Sequence, residues 1–306
     1  MRRVRANDPM VRVLDVRAPG ILCAVAATFA AAPVAVAEAP ARPAGNFGGG
    51  ALVSPPKDLF GAGNAVIGLR ALDERRLEIE ATVRAKCTGG DITAEAKIAA
   101  DGSFKADGTE TQTPSPNEKV TTTYRLAGTF TSEKAAEGTV SATLERSAEG
   151  KTETCKTGNV AFGARRPGSE IGTRGAAAGA RYYGTTAQRG VGPRRPIVLR
   201  VSGDGRLISR ALFGEQVRCS DGTHSIGIEA PSTNVAIGKG GKVSDHEKYT
   251  IDNGNTKTYV DDHFDALVGR DGAKGTFSLS DRTLDKASGN VVQSCRSGEV
   301  KWSAAP

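Results

Sequence analysis

Cys155-Lys156-Thr157-Gly158-Asn159-Val160-Ala161-Phe162-Gly163-Ala164 and Cys295-Arg296-Ser297-Gly298-Glu299-Val300-Lys301-Trp302-Ser303-Ala304 share one pattern. Each reads cysteine, basic, hydroxyl, glycine, any residue, valine, any residue, aromatic, any residue, alanine. Working outward, Cys87 aligns with Cys219, which puts the paired cysteines 68 residues apart in one segment and 76 in the other. An apolar stretch ends 18 residues before each leading cysteine, at Leu69 and at Val201. Ile98 leads into Asp101-Gly102-Ser103-Phe104, and Ile237 leads into Gly240-Gly241-Lys242-Val243. Gly138-Thr139-Val140 answers Gly275-Thr276-Phe277. The chain therefore reads as one module written twice, at 57–165 and 181–306, joined by a Gly- and Ala-rich linker at 166–180.

The repeat decides the secondary structure. Asp73 to Cys87 is rich in Glu, Arg and Ala, which propensity alone would make helical. Leu77, Ile79, Ala81, Val83 and Ala85 alternate strictly, however, and that is the period of a half-buried strand. The matching stretch carries Gly214 among Ala211, Phe213 and Val217, which suits a strand better than a helix. Tyr124, Leu126, Gly128 and Phe130 alternate likewise, as do Val260, Phe264, Ala266 and Val268. Asp101-Gly102, Asp107-Gly108, Asp204-Gly205, Asp221-Gly222, Asn253-Gly254 and Asp271-Gly272 punctuate these runs as turns. The expectation is an all-β protein of two homologous antiparallel β-meander domains, about eight strands each. A small barrel and a sandwich fit this pattern equally.

The N-terminus reads as an address. Arg2, Arg3, Arg5, Arg12 and Arg17 precede a nearly unbroken apolar run from Gly20 to Ala32, and Ala35-Val36-Ala37 offers a small-x-small cleavage site. The expected cut lies between Ala37 and Glu38. Residues 38–56, with Pro40, Pro43 and Gly48-Gly49-Gly50, read as a disordered tether. An uncleaved membrane anchor is the alternative for the leader, and no segment of the mature chain is apolar enough to span a bilayer. The protein is expected to be secreted, or held in the cell envelope or periplasm. The 306-residue chain carries +7, and losing five basic and two acidic residues leaves +4. Cys87, Cys155, Cys219 and Cys295 remain, an even set that favours disulfides in an exported chain. Of the three pairings, the repeat favours Cys87–Cys155 with Cys219–Cys295.

The Tyr182-Tyr183-Gly184 opening, the midway cysteine, the Gly240-Gly241 turn, Gly275-Thr276-Phe277 and the closing Cys295-to-Trp302 segment together resemble secreted bacterial β-domains of unknown function. The likeness covers the second segment. The first has Phe162 for the tryptophan and no clear Tyr-x-Gly opening. The resemblance implies fold and export and carries no activity.

Chemistry is sparse. The three histidines, His224, His246 and His263, all lie in the second segment. There is no Gly-x-Ser-x-Gly elbow, no His-Glu-x-x-His and no phosphate loop, so no catalytic residues and no cofactor are assigned. Asp261, His263 and Asp265 would share one face of a strand and are the candidate metal ligands; His246, between Asp245 and Glu247, is a weaker one. Trp302 is expected in the core, at the phase of Phe162. Charge is more telling: 57–165 holds 15 Lys/Arg against 16 Asp/Glu, and 181–306 holds 18 against 14. Arg200, Arg206, Arg210 and Arg218 are expected on a solvent face, as a surface for an anionic cell-envelope or extracellular polymer. Nucleic acid is not expected, because the aromatics of a stacking surface are missing. The expected function is a non-catalytic binding or envelope-associated structural module. The alternative is a secreted enzyme of unidentified class acting on envelope polymers.

Overall fold

The computed structural model describes residues 43–52, 62–115, 117–168, 175–188, 192–222, 224–229 and 234–306. The leader, its cut site and Cys23 lie outside them. The first half runs β1 (Gly45–Ala51), β2 (Ala65–Ala71), β3 (Arg76–Arg84), β4 (Gly89–Lys97), β5 (Ser103–Ser115), β6 (Glu118–Ser132), β7 (Ala135–Ala148), β8 (Lys151–Lys156) and β9 (Val160–Arg165). The second runs β10 (Arg181–Thr186), β11 (Pro196–Val201), β12 (Leu207–Cys219), β13 (His224–Glu229), β14 (Val235–Ala236), β15 (Lys242–Asn253), β16 (Thr256–Gly269), β17 (Gly272–Asp285), β18 (Val291–Arg296) and β19 (Val300–Ala305). All ladders are antiparallel. The strand orders are β4-β3-β2-β1-β9-β7-β6-β5 and β13-β12-β11-β10-β19-β17-β16-β15, the same path in both halves.

The alternation read from sequence becomes the core. On β3, Leu77, Ile79, Ala81 and Val83 are buried while Glu78, Glu80 and Thr82 are half-exposed. The ends of the first path, β4 and β5, lie close together, so this sheet curls nearly into a barrel around Phe47, Leu69, Ile79, Leu126 and Leu144. In the second sheet β18 pairs with both β12 and β17. Its core is an aromatic cluster: Phe213 lies 4.9 Å from Phe277, 5.8 Å from Phe264 and 5.9 Å from Trp302, and Phe264 stacks on Trp302 at 5.7 Å. Trp302 is thus a core residue, at the phase of Phe162. Each half holds one internal disulfide, Cys87–Cys155 and Cys219–Cys295. On the chain-entropy account, closing loops of this size contributes about 4 kcal/mol each.

The Gly48-Gly49-Gly50 stretch departs from the expected tether: residues 45–51 are β1, a central strand between β2 and β9. The glycines are there because backbones pass too close for side chains. A Cβ on Gly48 would sit 1.9 Å from the Gly184 carbonyl oxygen, and one on Gly49 would sit 2.0 Å from that of Gly163. Register also supplies the opening that sequence alone does not show. Phe47 pairs with Leu69 and Tyr182 with Leu199, while Gly49 and Gly184 pair with Ala164 and Ala304. Phe47-Gly48-Gly49 therefore occupies the place of Tyr182-Tyr183-Gly184. The same ladders move the equivalence of Leu69 from Val201 to Leu199, because a bulge between Arg200 and Val201 lengthens the next turn.

Gly184 belongs to the second half, so its approach to Gly48 also shows the two halves in contact. Leu52 and Val66 pack with Val198 and Leu212, with Tyr183 against them. Arg195 donates from Nη1 to Glu80 at 2.6 Å across this seam, and the Arg194 backbone N–H donates to Asn46 at 3.0 Å. The segment placed in the linker also contributes structure at its end. Ala176 and Ala180 pack on the second core, and Gly175 bridges Gly269.

Candidate binding face of the second half

The Asn253-Gly254 turn sets the site. Asn253 pairs with Thr256, leaving Gly254 and Asn255 as a two-residue loop, with Gly254 at φ +60°. Counting back along β15 and forward along β16 from that turn puts His246 directly opposite His263. Asp261, two residues before His263 and on the same face, lies beside both rings. His246 Nε2 is 2.7 Å and His263 Nε2 3.3 Å from Asp261 Oδ1, and Lys248 Nζ is 3.1 Å from Oδ2. The rings stack at 3.7 Å with 18° between their planes. Lys248 first, then His246, hold the Asp261 carboxyl below its ordinary range. His246, Asp261 and His263 form a group that could hold a metal ion, with their donor atoms all within 4.8 Å. Asp265, the third candidate ligand from sequence, is outside that group. Its place is taken by His246, which linear spacing separates by 17 residues and the turn register reunites.

The cluster sits on a broader outer face. Alternation turns Lys242 and Lys248 of β15, Lys257 of β16, Lys274 and Arg282 of β17 and Lys301 of β19 outward, against three carboxylates on the same strands, Asp252, Asp261 and Asp265, the first of them paired with Lys286. Tyr259 lies half-exposed at its centre, with the Lys257 ammonium 5.1 Å and the Arg282 guanidinium 5.8 Å from the ring. A shallow hollow of about 380 Å³ runs over Lys248, Tyr259, Asp261, Ser280 and Arg282. The matching face of the first half balances Lys105, Lys119 and Arg125 against Asp107, Glu137 and Glu145, and a row of threonines runs along it.

The arginines singled out by sequence do not share a face. Arg206 and Arg218 are exposed and Arg200 is half-buried. Arg210 is a correction: it is buried at 7% exposure rather than solvated. Strand alternation does turn it away from Phe213, but the outward faces of β11 and β12 are themselves covered, as the burial of Val198 and Leu212 shows. Arg195, in the same run, is engaged by Glu80.

Sequence reasoning also missed the inward phase of this hairpin. Asp262 is 2% exposed, lies between Val260 and Phe264 on the core face, and its Oδ1 has no hydrogen-bond partner among the described residues. Burial, then the neighbouring Glu247 and Asp245, push its carboxyl up to about 7. Glu215 of β12 is 3% exposed on the core-facing phase of Phe213 and Val217. Burial also raises Asp281 of β17. By register, Tyr124 stands where the second half has Asp262, Gly108 where it has Glu247, Val83 where it has Glu215 and Leu144 where it has Asp281. The signal was in the sequence: Asp262 falls at the inward phase of a run otherwise read as Val260, Phe264, Ala266.

A further hollow of about 780 Å³ beside the Cys219–Cys295 bridge is lined by Gln188, Gln216, Arg218, Ser280, Arg296 and one carboxylate, Asp281. Among the described residues no helix is long and apolar enough to cross a membrane. No family model matches the chain, and a comparison with curated proteins finds no match.

Proposed function

We propose that the chain is an exported tandem duplication acting as a non-catalytic binding or envelope-associated module, whose second half grips an anionic polymer on the outer face of β15, β16, β17 and β19. The observation that carries this reading is the charge of that face. Lys242, Lys248, Lys257, Lys274, Arg282 and Lys301 outnumber Asp252, Asp261 and Asp265 two to one, while the matching face of the first half is balanced. Such a field gathers anions over about 8 Å at physiological salt, and Arg282 adds a fork for bidentate contact. Tyr259 supplies a flat apolar platform for a sugar ring or chain. Two disulfides favour an oxidising compartment. The hollows have the openness and mixed lining of a binding surface rather than convergent acids poised for hydrolysis.

Retention of the mature chain on immobilised dextran sulfate tests this. Wild type is expected to be held at low salt and released as salt rises. Lys257→Glu with Arg282→Glu and Lys301→Glu abolishes retention, and Arg206→Glu with Arg218→Glu leaves it nearly intact. Equal loss in both variants would assign retention to net charge alone and refute the face.

A further inference from the structure

We infer that His246, His263 and Asp261 form a surface site for a divalent first-row transition ion, of the Zn²⁺ or Cu²⁺ class. The inference stands apart from polymer binding and uses different atoms. Two imidazole nitrogens converge on one carboxylate oxygen, at 2.7 and 3.3 Å, on a rigid hairpin whose register is set by a two-residue turn. In the ion-free protein His246 Nε2–H donates to Asp261 Oδ1, and an incoming ion binds by displacing that proton. The two ring nitrogens and the carboxylate oxygen lie within 4.8 Å of one another, with the ring centroids 3.7 Å apart. The donor atoms are therefore gathered at one place on the hairpin before any ion arrives.

The carboxylate is also divided in its duties. Lys248 holds Oδ2 at 3.1 Å, so Oδ1 is left to the histidine side and would ligate through one oxygen. Two imidazoles with one carboxylate select zinc, copper or nickel over calcium and magnesium, which take oxygen shells. Stability gives little reason for the arrangement. The three side chains are 45%, 51% and 37% exposed, where ion pairs contribute about 0–1 kcal/mol. At the matching positions the first half has Asp107, Thr123 and Arg125, which cannot make this set. Three protein ligands on an open face also leave the remaining coordination positions to water or to a donor on a partner.

The test is calorimetric titration of the metal-stripped mature chain with Zn²⁺ and with Cu²⁺, and electron paramagnetic resonance of the Cu²⁺ form. The expected result is one saturable equivalent and a spectrum of two nitrogen donors with oxygen. His246→Gln, His263→Gln and Asp261→Asn each weaken binding by at least about tenfold. All three positions are exposed or half-exposed, so these variants fold, which circular dichroism checks. Asp265→Asn and His224→Gln keep wild-type affinity. Absence of saturable binding, or unchanged affinity in any of the three ligand variants, would overturn the site. Loss of binding on changing Asp265 or His224 would overturn it as well, by placing the ion elsewhere.

Discussion

Replacing Asp262 by Asn removes a buried carboxyl while keeping its shape. The folded protein holds this group at 2% exposure, with Glu247 and Asp245 as negative neighbours, and its carboxyl titrates at about 7 against an ordinary 3.8. In the unfolded chain the same group loses its proton near pH 4. Between pH 4 and pH 7 the folded state therefore binds a proton that the unfolded state has released. Stability from this group is fully present below pH 4, falls as pH rises, and levels off above pH 7. Each pH unit in that window is worth about 1.4 kcal/mol, so the loss has a ceiling of about 4 kcal/mol. Asn carries no charge at any of these pH values and escapes the loss, though its amide must still find partners in a buried place. The expected gain of Asp262→Asn over wild type is near zero or negative at pH 4.5 and about 1–3 kcal/mol in its favour at pH 8. Urea unfolding of both proteins across that range, in chelator-treated buffer, measures it. A difference that does not grow with pH, or an Asn variant less stable than wild type at pH 8, would refute the account of a buried, protonated Asp262.

Two shorter predictions concern the seam between the halves. Glu80→Ala removes the ion-pair partner of Arg195, whose side chain is 8% exposed, and is expected to destabilise by about 3–5 kcal/mol in urea unfolding, with Glu80→Gln intermediate. Gly48→Val places a side chain where a Cβ already falls 1.9 Å from the Gly184 carbonyl, so small-angle scattering should show the halves separated or splayed while each disulfide stays intact.

Most of the architecture was legible because its signals are local. Strict alternation at Leu77 to Ala85 overrides helical composition, and Asp-Gly and Asn-Gly turns mark the hairpins. The shared pattern that contains Phe162 and Trp302 marks the matching strands β9 and β19, and the cysteines that open it, Cys155 and Cys295, each form the bridge of their own half. The failures are all at places where a remote backbone decides. Gly48-Gly49-Gly50 carries no side-chain pattern and reads as flexible; its glycines answer Gly184 and Gly163, which lie more than a hundred residues away. Arg210 has the right strand phase for solvent, but phase says which way a side chain turns and not what covers that side. The His246–Asp261–His263 cluster was half visible. Asp261 and His263 follow from strand period, while His246 required the turn register, which Asn253-Gly254 and the two-residue loop supply.

Matched positions show where the second half departs from what packing asks. Inside, Gly108 facing Tyr124 fits an aromatic ring against a glycine: a Cβ on Gly108 would come within 2.8 Å of the Tyr124 hydroxyl. Glu247 and Asp262 hold those places in the second half and set two acids across one ladder. Outside, the same hairpin exchanges Asp107, Thr123 and Arg125 for His246, Asp261 and His263. Both sets of changes fall on β15 and β16, which remain in register along their length. What offsets the buried Asp262 lies in the layer beside it. Ala81, Leu126, Val140 and Phe162 of the first core correspond to Phe213, Phe264, Phe277 and Trp302, all within 5% of full burial. Larger buried aromatic area and ring-to-ring contacts each add stability, the contacts by about 0.5–1.5 kcal/mol per pair. The second bridge also joins strands that pair directly, Cys219 of β12 with Cys295 of β18. The aromatic layer lets this hairpin carry a buried carboxyl on its inner face and the His246–Asp261–His263 cluster on its outer face without losing its register, and a register slip of one residue would turn His246 and His263 inward and scatter the cluster.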